Sequence, residues 1–447
     1  VPFIEKSQSS THQQLQMIVS TTCSVGMLIF TVIMQIFAFY NSNPLIIGSV
    51  FSLMAVTCVV ASVQIFLYFR QIKQTVQLWL FVAVCCLSIA LLVVFAVLGP
   101  IESQTFDFST EPMFMPYEDK VQVMYVTQQP QPTRVLVGTS AKCGGETLQM
   151  TNCTQKSLIH QVLLEQNQSF ILNKRRFDVK IPQKPRKFML ISDVHGNQVY
   201  HSILPPDYDV ALMPGDFSAW GHLEGFINSF KEPIKKPIVF AYGNHDTMKP
   251  QLAEQLFQRQ FQFYQQIGDV GVVSLTVLKN GSSILQQEYI QEAMAFMKKT
   301  VKESKADHII IQLHCIVYAV TGFENSKAYR AFGETFAEAI EEINDKRIKA
   351  VLYGHEHSAS VFIKDQVLYA VSAPAGGPPK HDSWFEELHG PQDDEKIFGG
   401  EYHMDTYQFN HHIGELQLDV EKKVTKFKII RVKDNKVLSS YEIPFKE

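Results

Sequence analysis

Seven side chains of this sequence, Asp193, His195, Asp216, Asn244, His314, His355 and His357, are of types that hold metal ions. They arrive in five short blocks: ISDVHGN at 191–197, GDFS at 215–218, GNHD at 243–246, LHC at 313–315 and GHEH at 354–357. Seven nitrogen and oxygen donors are about what two adjacent metals need when one carboxylate bridges them. Two metals roughly 3.5–4 Å apart can clamp a phosphate and deprotonate a water between them. The set contains no thiolate, which disfavours a structural zinc knot and favours manganese, iron or zinc in a hydrolytic site.

Something must bring these blocks together, and the residues before them supply it. KFMLIS (187–192), YDVALM (208–213), PIVFAY (237–242), DHIIIQL (307–313) and IKAVLY (348–353) are short apolar runs. They read as buried strands, each ending just before a candidate ligand. The ligands then sit on loops at one edge of a sheet, held by a rigid scaffold. The spans 287–304 and 328–345 have the apolar spacing of amphipathic helices that flank such a sheet. VVSLTV and SSILQQ read as a hairpin with Asn280-Gly281 at its tip. Residues 374–405, rich in Gly, Pro and charge, read as an insertion over the site mouth, and the segments from 413 onward as antiparallel strands closing a second sheet.

A single block of this kind is an ordinary turn. Five in this order, each after a strand-like run, resemble the calcineurin-like metallophosphoesterase family, whose pattern is D-x-H, G-D, G-N-H-D/E, H, G-H-x-H. The resemblance covers about 187–447 and implies a four-layer α/β/β/α sandwich. It also implies roles by position. Asp193, His195 and His357 would hold one metal, Asn244, His314 and His355 the other, and Asp216 would bridge them. His245 would be the non-ligand histidine near the leaving-group oxygen, oriented by Asp246. The other histidines, His201, His222, His381, His389, His403, His411 and His412, read as surface residues in polar loops. Of these, His222 is the best placed for a substrate contact. Cys315 reads as a buried core thiol.

Residues 117–186 read as a small separate all-β unit, with strands at VQVMYVT, TRVLVGTSA, IHQVLLE and FDVKIP. Its position is similar to that of the fibronectin-like domain that precedes the catalytic domain of purple acid phosphatases. Those enzymes carry a tyrosine three residues after the bridging aspartate, where this chain has Ala219, and they lack a D-x-H histidine. The domain layout is therefore implied and the purple iron centre is not.

The first hundred residues are a different material. No Asp, Glu, Lys or Arg occurs between Lys6 and Arg70, or between Lys73 and Glu102. Three spans, about 17–40, 45–69 and 77–99, are each long enough to cross a hydrocarbon core of ~30 Å. Residues 1–100 thus read as a membrane domain of three transmembrane helices, and 101–116 as a linker. Lys6, Arg70 and Lys73 place the N-terminus and the 70–76 loop in the cytosol, and everything after residue 100 outside or in a lumen. Asn152, Asn167 and Asn280 open N-glycosylation patterns, and Cys143 and Cys153 could pair in an oxidising compartment. The net charge of −4 implies no nucleic-acid surface.

The expectation is an integral membrane protein whose extracytosolic domain hydrolyses phosphate mono- or diesters with a metal-bridging hydroxide. Its partners would be the ester substrate and the lipid bilayer, with homo-oligomer or membrane-complex contacts left open. The alternative is a structural or interaction subunit of a membrane assembly that carries an inherited, inactive site. Three spans exceed what simple anchoring needs, which is the feature favouring that alternative.

Overall fold

The computed structural model describes residues 108–137, 140–143, 156–178, 180–318, 327–379, 401–405 and 410–447. The three expected membrane spans, Asn152 and Cys153 lie outside these residues. Among the described residues no helix is long and apolar enough to cross a membrane.

The metal-ligand blocks are carried by two sheets. The first contains β8 (Lys187–Leu190), β9 (Val210–Met213) and β10 (Ile238–Phe240), all parallel. It continues through β18 (His412–Asp419), β19 (Val424–Arg431) and β20 (Lys436–Pro444), all antiparallel. The second sheet runs in the order β11 (Phe263–Ile267), β12 (Val270–Leu275), β13 (His308–Leu313), β14 (Ile348–Tyr353), β16 (Val367–Ser372), β15 (Ala359–Lys364) and β17 (Glu401–Asp405). In it β12, β13, β14 and β16 are parallel.

Side chains alternate along each strand, and the alternation builds the layers. Phe188, Leu190, Val210, Leu212 and Val239 of the first sheet share a core with Ile310, Ala350 and Leu352 of the second. The intervening Met189, Ala211, Met213 and Phe240 pack on helices α1 (Leu223–Ser229) and α2 (Pro250–Phe257). On the far face, Ile309, Ile311, Leu313 and Val351 pack on α3 (Gln287–Glu303) and α4 (Lys327–Ile343). Both sheet faces are therefore buried, which is why these strands read as continuous apolar runs rather than alternating ones. The outcome is the expected helix–sheet–sheet–helix layering.

Three sequence expectations need correction. The 270–286 region is not a hairpin. β12 pairs with β11 and β13, and 276–286 has no strand, because a turn signal cannot specify the partner of a fully buried strand. Asn280 and Gly281 do form an exposed left-handed turn, with φ of 58° and 70°. Residues 401–405, read as part of an insertion, form the edge strand β17. Residues 113–116, read as linker, belong to β1 (Met113–Tyr117), whose apolar side chains are buried.

The β unit comprises β1, β2 (Lys120–Pro132), β3 (Arg134–Val137), β4 (Ser140–Cys143), β5 (Lys156–Glu165), β6 (Ser169–Leu172) and β7 (Arg175–Asp178). They form a three-stranded sheet, β1-β2-β5, and a four-stranded sheet, β4-β3-β6-β7. This unit is not packed separately. Val121, Val123 and Tyr125 of β2 join the core between the large sheets, while Met124 and Val126 on its other face pack with Phe226, Phe230 and Phe257. Gln122 Nε2 donates to Phe257 O at 3.1 Å. Gln161 Nε2 donates to Gln255 O at 2.9 Å and to Leu256 O at 2.5 Å. The last carbonyls of α2, which no helical N–H can reach, are thus satisfied from the β unit. Residues 106–447 form one compact unit.

Candidate metal centre

The ligand blocks emerge from the C-terminal ends of β8, β9, β10, β13 and β14, the end of parallel strands where open α/β sheets place their sites. Asp193, His195, Asp216 and His355 all have positive φ, 54°, 51°, 56° and 71°. Such a conformation is unfavourable for residues with a Cβ, and four of them at one place mark a backbone bent to aim side chains inward. Close backbone approach finishes the bend. A Cβ at Gly354 would fall 2.7 Å from Asp193 Oδ2 and 2.9 Å from His314 Nδ1.

Asp193 and Asp216 are fully buried at the centre. Asp193 accepts from Ser192 Oγ at 2.6 Å and from the His355 N–H at 3.1 Å. Around its Oδ1 stand His357 Nε2 at 3.4 Å, His195 Nε2 at 3.9 Å and His314 Nε2 at 3.9 Å. Around Asp216 Oδ2 stand His314 Nε2 at 3.1 Å, His195 Nε2 at 3.6 Å and His245 Nε2 at 3.9 Å. Three groups of side chains are close enough to hold a metal: Asp193, His195 and His357; Asp216, His314 and His355; and His195, Asp216 and His245. The first is the expected first metal set, and the second is the expected other set without Asn244. Asn244 Oδ1 is buried, its residue only 6% exposed, and it has no hydrogen-bond partner.

The outward ring nitrogens settle what the inward ones offer. His314 Nδ1 donates to Pro214 O at 2.8 Å, His357 Nδ1 to Pro378 O at 2.5 Å, and His245 Nδ1 to Ala219 O. With Nδ1–H donated outward, each ring turns its Nε2 to the centre. His355 is turned the other way: Tyr329 OH contacts its Nε2 at 3.0 Å, and its Nδ1 lies 3.3 Å from His314 Nε2. His195 Nε2 and His357 Nε2 are 3.1 Å apart. Ring nitrogens this close to one another and to two carboxylates need a proton or a metal cation among them. The donor set and the orphaned Asn244 oxygen fit two metal ions.

Charge is already shared in the metal-free geometry. Burial opposes ionisation of Asp193, but the rings of His314, His195 and His357 hold its carboxyl well below the usual range. Asp216 is lowered likewise, burial being outweighed by His314, His195 and His245. Burial opposes charge on His314 too, yet Asp216 and Asp193 carry its pKa up to about 9.

Asp246 has a different part from the one expected. The His245 ring donates through Nδ1 to Ala219 O rather than to Asp246. Its carboxylate accepts from the N–H groups of Asp216 at 2.7 Å, Phe217 at 2.9 Å, Ser218 at 3.2 Å and Gly243 at 2.9 Å. It ties the β9 loop to the β10 loop. Burial and the neighbouring Asp216 push its pKa up to about 7. Two further parts were missed. Tyr329 of α4 orients His355, and its helical spacing disclosed only a core position. The 375–377 backbone donates to Ser192 O and Asp193 O, closing the side of the site beside His195.

Of the histidines read as surface residues, His222 is exposed and takes a hydrogen bond from Lys249 Nζ at 2.5 Å. His201 and His411 are half-buried, and His412 is fully buried at the start of β18, where a polar-looking loop has already entered the sheet. His381 and His389 lie outside the described residues. Cys315 is a free thiol in the core, as expected.

The fold and site together define a class. Residues 186–359 match the family described as calcineurin-like phosphoesterase, and the chain carries a domain of that family. Among solved structures it is similar to GAP50, the anchor in the inner membrane complex of Plasmodium, at 12% identity and a TM-score of 0.43, over 59% of this chain and 90% of that one. It is also similar to the phosphopantetheinyl hydrolase of Mycobacterium tuberculosis, at 13% identity and a TM-score of 0.33, over 47% and 99% of the two chains. Chaetomium thermophilum Vps29 matches at 7% identity and a TM-score of 0.28, over 59% and 98%. No curated protein matches the sequence.

Proposed function

We propose that the chain is a membrane-anchored phosphoesterase working with two metal ions on phosphate mono- or diesters, its catalytic domain facing away from the cytosol. The observation that carries the reading is the convergence of imidazole nitrogens on two buried carboxylates, beside a buried Asn244 oxygen that no hydrogen bond satisfies. Asp193, His195 and His357 would hold one ion, Asn244, His314 and His355 the other, with Asp216 between. Bound there, the ions would supply positive charge for the phosphoryl oxygens and an activated water at neutral pH. The protein's own part is positioning and proton transfer. With Nδ1–H committed to Ala219 O, Nε2 of His245 is the atom that carries a proton to the leaving oxygen. Ser192, Tyr329, Pro214 and Pro378 hold the donors in register, and Asp246 keeps the Asp216 and His245 loops together.

The three apolar stretches before residue 100 and the Lys6, Arg70 and Lys73 pattern support the anchor and its orientation. Asn167 and Asn280 both sit on exposed turns, where a glycosyltransferase can reach them. Elemental analysis of the purified protein, with turnover of 4-nitrophenyl phosphate and bis(4-nitrophenyl) phosphate, tests the reading. Two metal equivalents and metal-dependent hydrolysis are expected, and the preferred ester decides between mono- and diesterase. Bound metals without turnover of either ester would instead support the structural-subunit reading.

A further inference from the structure

Trp220 is 65% exposed, yet the backbone around it is tied down. Ser218 N–H donates to Asp246, Ala219 O accepts from His245 Nδ1, and His222 N–H donates to Ser218 Oγ at 3.1 Å. Gly221, at φ +61°, closes the loop so tightly that a Cβ there would sit 3.0 Å from His245 O and 2.9 Å from Met248 Cβ. The indole stands at a steep angle to the His245 ring, centroids 6.0 Å apart. Met248, 39% exposed, lies beside this loop and also against Gly281, three residues before Ile284, which is 74% exposed. Ser283 O in turn accepts from Tyr329 OH, which touches His355. An apolar rim on rigid backbone thus borders the His245 side of the metal centre.

We propose that Trp220, backed by Met248, is the leaving-group subsite, and that it selects esters whose leaving group carries a planar, π-faced ring. The proposal rests on the phosphoesterase reading above. A leaving oxygen at His245 Nε2 puts the rest of the ester outside the metal cluster, on the side where the indole stands. Indole offers a large face with few rotatable bonds, and a held backbone removes most of the remaining ordering cost. Lys249, exposed at the same loop, adds a cation that favours an anionic ester over a neutral molecule.

Equilibrium dialysis tests this on full-length, manganese-loaded protein, using two ligands that cannot be hydrolysed. They are methylphosphonate and the phosphonate isostere of adenosine 5′-monophosphate. The adenosine ligand should bind tighter by on the order of 10-fold or more, the usual worth of one stacked base. Trp220→Ala should bring the ratio of the two dissociation constants close to one, and Trp220→Phe should restore most of it. Val437→Ser, at an exposed apolar position on β20, should leave the ratio unchanged. A protein that binds the adenosine ligand this way but hydrolyses no ester keeps the subsite and loses the phosphoesterase reading. No preference in the wild type, or a ratio indifferent to Trp220→Ala, overturns the subsite. A preference for dodecylphosphonate that disappears with Ile284→Ser overturns the planar assignment in favour of an aliphatic leaving group.

Discussion

At the scale of single residues, Asp216 and His245 separate holding metal from moving a proton. Asp216 is the carboxylate common to two of the three candidate groups, which is why the proposed function sets it between the two ions. Asp216→Asn should lose both metals, or nearly all activity, because it removes the charge between them. Elemental analysis of the variant beside the wild type, which should carry two equivalents, reads this directly. His245→Ala should keep its metals and lose about 10²–10⁴-fold in turnover, most severely with poor leaving groups. Full rate on an alkyl phosphate would remove His245 from the reaction. A third residue governs pH. His160 is buried between Thr127 and Thr133, and burial lowers its pKa from 6.5 to about 4. Below pH 6.5 the unfolded chain binds a proton that the folded chain refuses. The stability is therefore whole above pH 6.5 and is lost as pH falls toward 4, by about 3 kcal/mol. His160→Gln should shrink the acid-induced loss by about 2 kcal/mol in urea unfolding compared between pH 7 and pH 4.5, even if it is less stable at pH 7. The clustering of the Asp and His candidates was legible because metal chemistry restricts residue type and strand ends restrict place. Asp246 was not, because a carboxylate serving four distant N–H groups leaves no local trace in the sequence.

At the scale of elements, the strands that position the ligands were readable as runs buried on both faces. The 270–275 strand was readable too, but its neighbours were not. Asn280-Gly281 does turn the chain, yet β12 finds its partners across 263–267 and 308–313. Sheet order is set by cores assembled at long range, and no turn residue encodes it. The β1 strand was missed because Pro116 and its short length disguised a run whose side chains are nonetheless buried. The most specific contact between elements is the end of α2, held by Gln161 and Gln122. Gln161→Ala should strip two buried carbonyls of their donor and cost about 1–3 kcal/mol. A thermal melt that did not move would mean that water replaces the glutamine there.

At the scale of the whole molecule, the proposed membrane orientation sets a topological test. With three spans, the 106–447 unit and the 70–76 loop fall on opposite sides. Protease added to sealed, right-side-out membranes should digest the unit and spare the loop, and glycan removal should shift the protein's mass by up to three acceptors at Asn152, Asn167 and Asn280. A fully protected unit of unmodified mass would reverse the topology. Where this chain can be cut also follows from its architecture. The family's own boundary near 186 looks like a natural place to excise a minimal catalyst. A fragment starting there would uncover the greasy underside that Met124 and Val126 now seal, and would leave the end of α2 bare. That helix begins two residues after the Asp246–Met248 turn that directly follows His245. Surgery at the boundary would thus loosen His245 while leaving every candidate ligand in the sequence, so the smallest piece that keeps the candidate site's packing begins near residue 106.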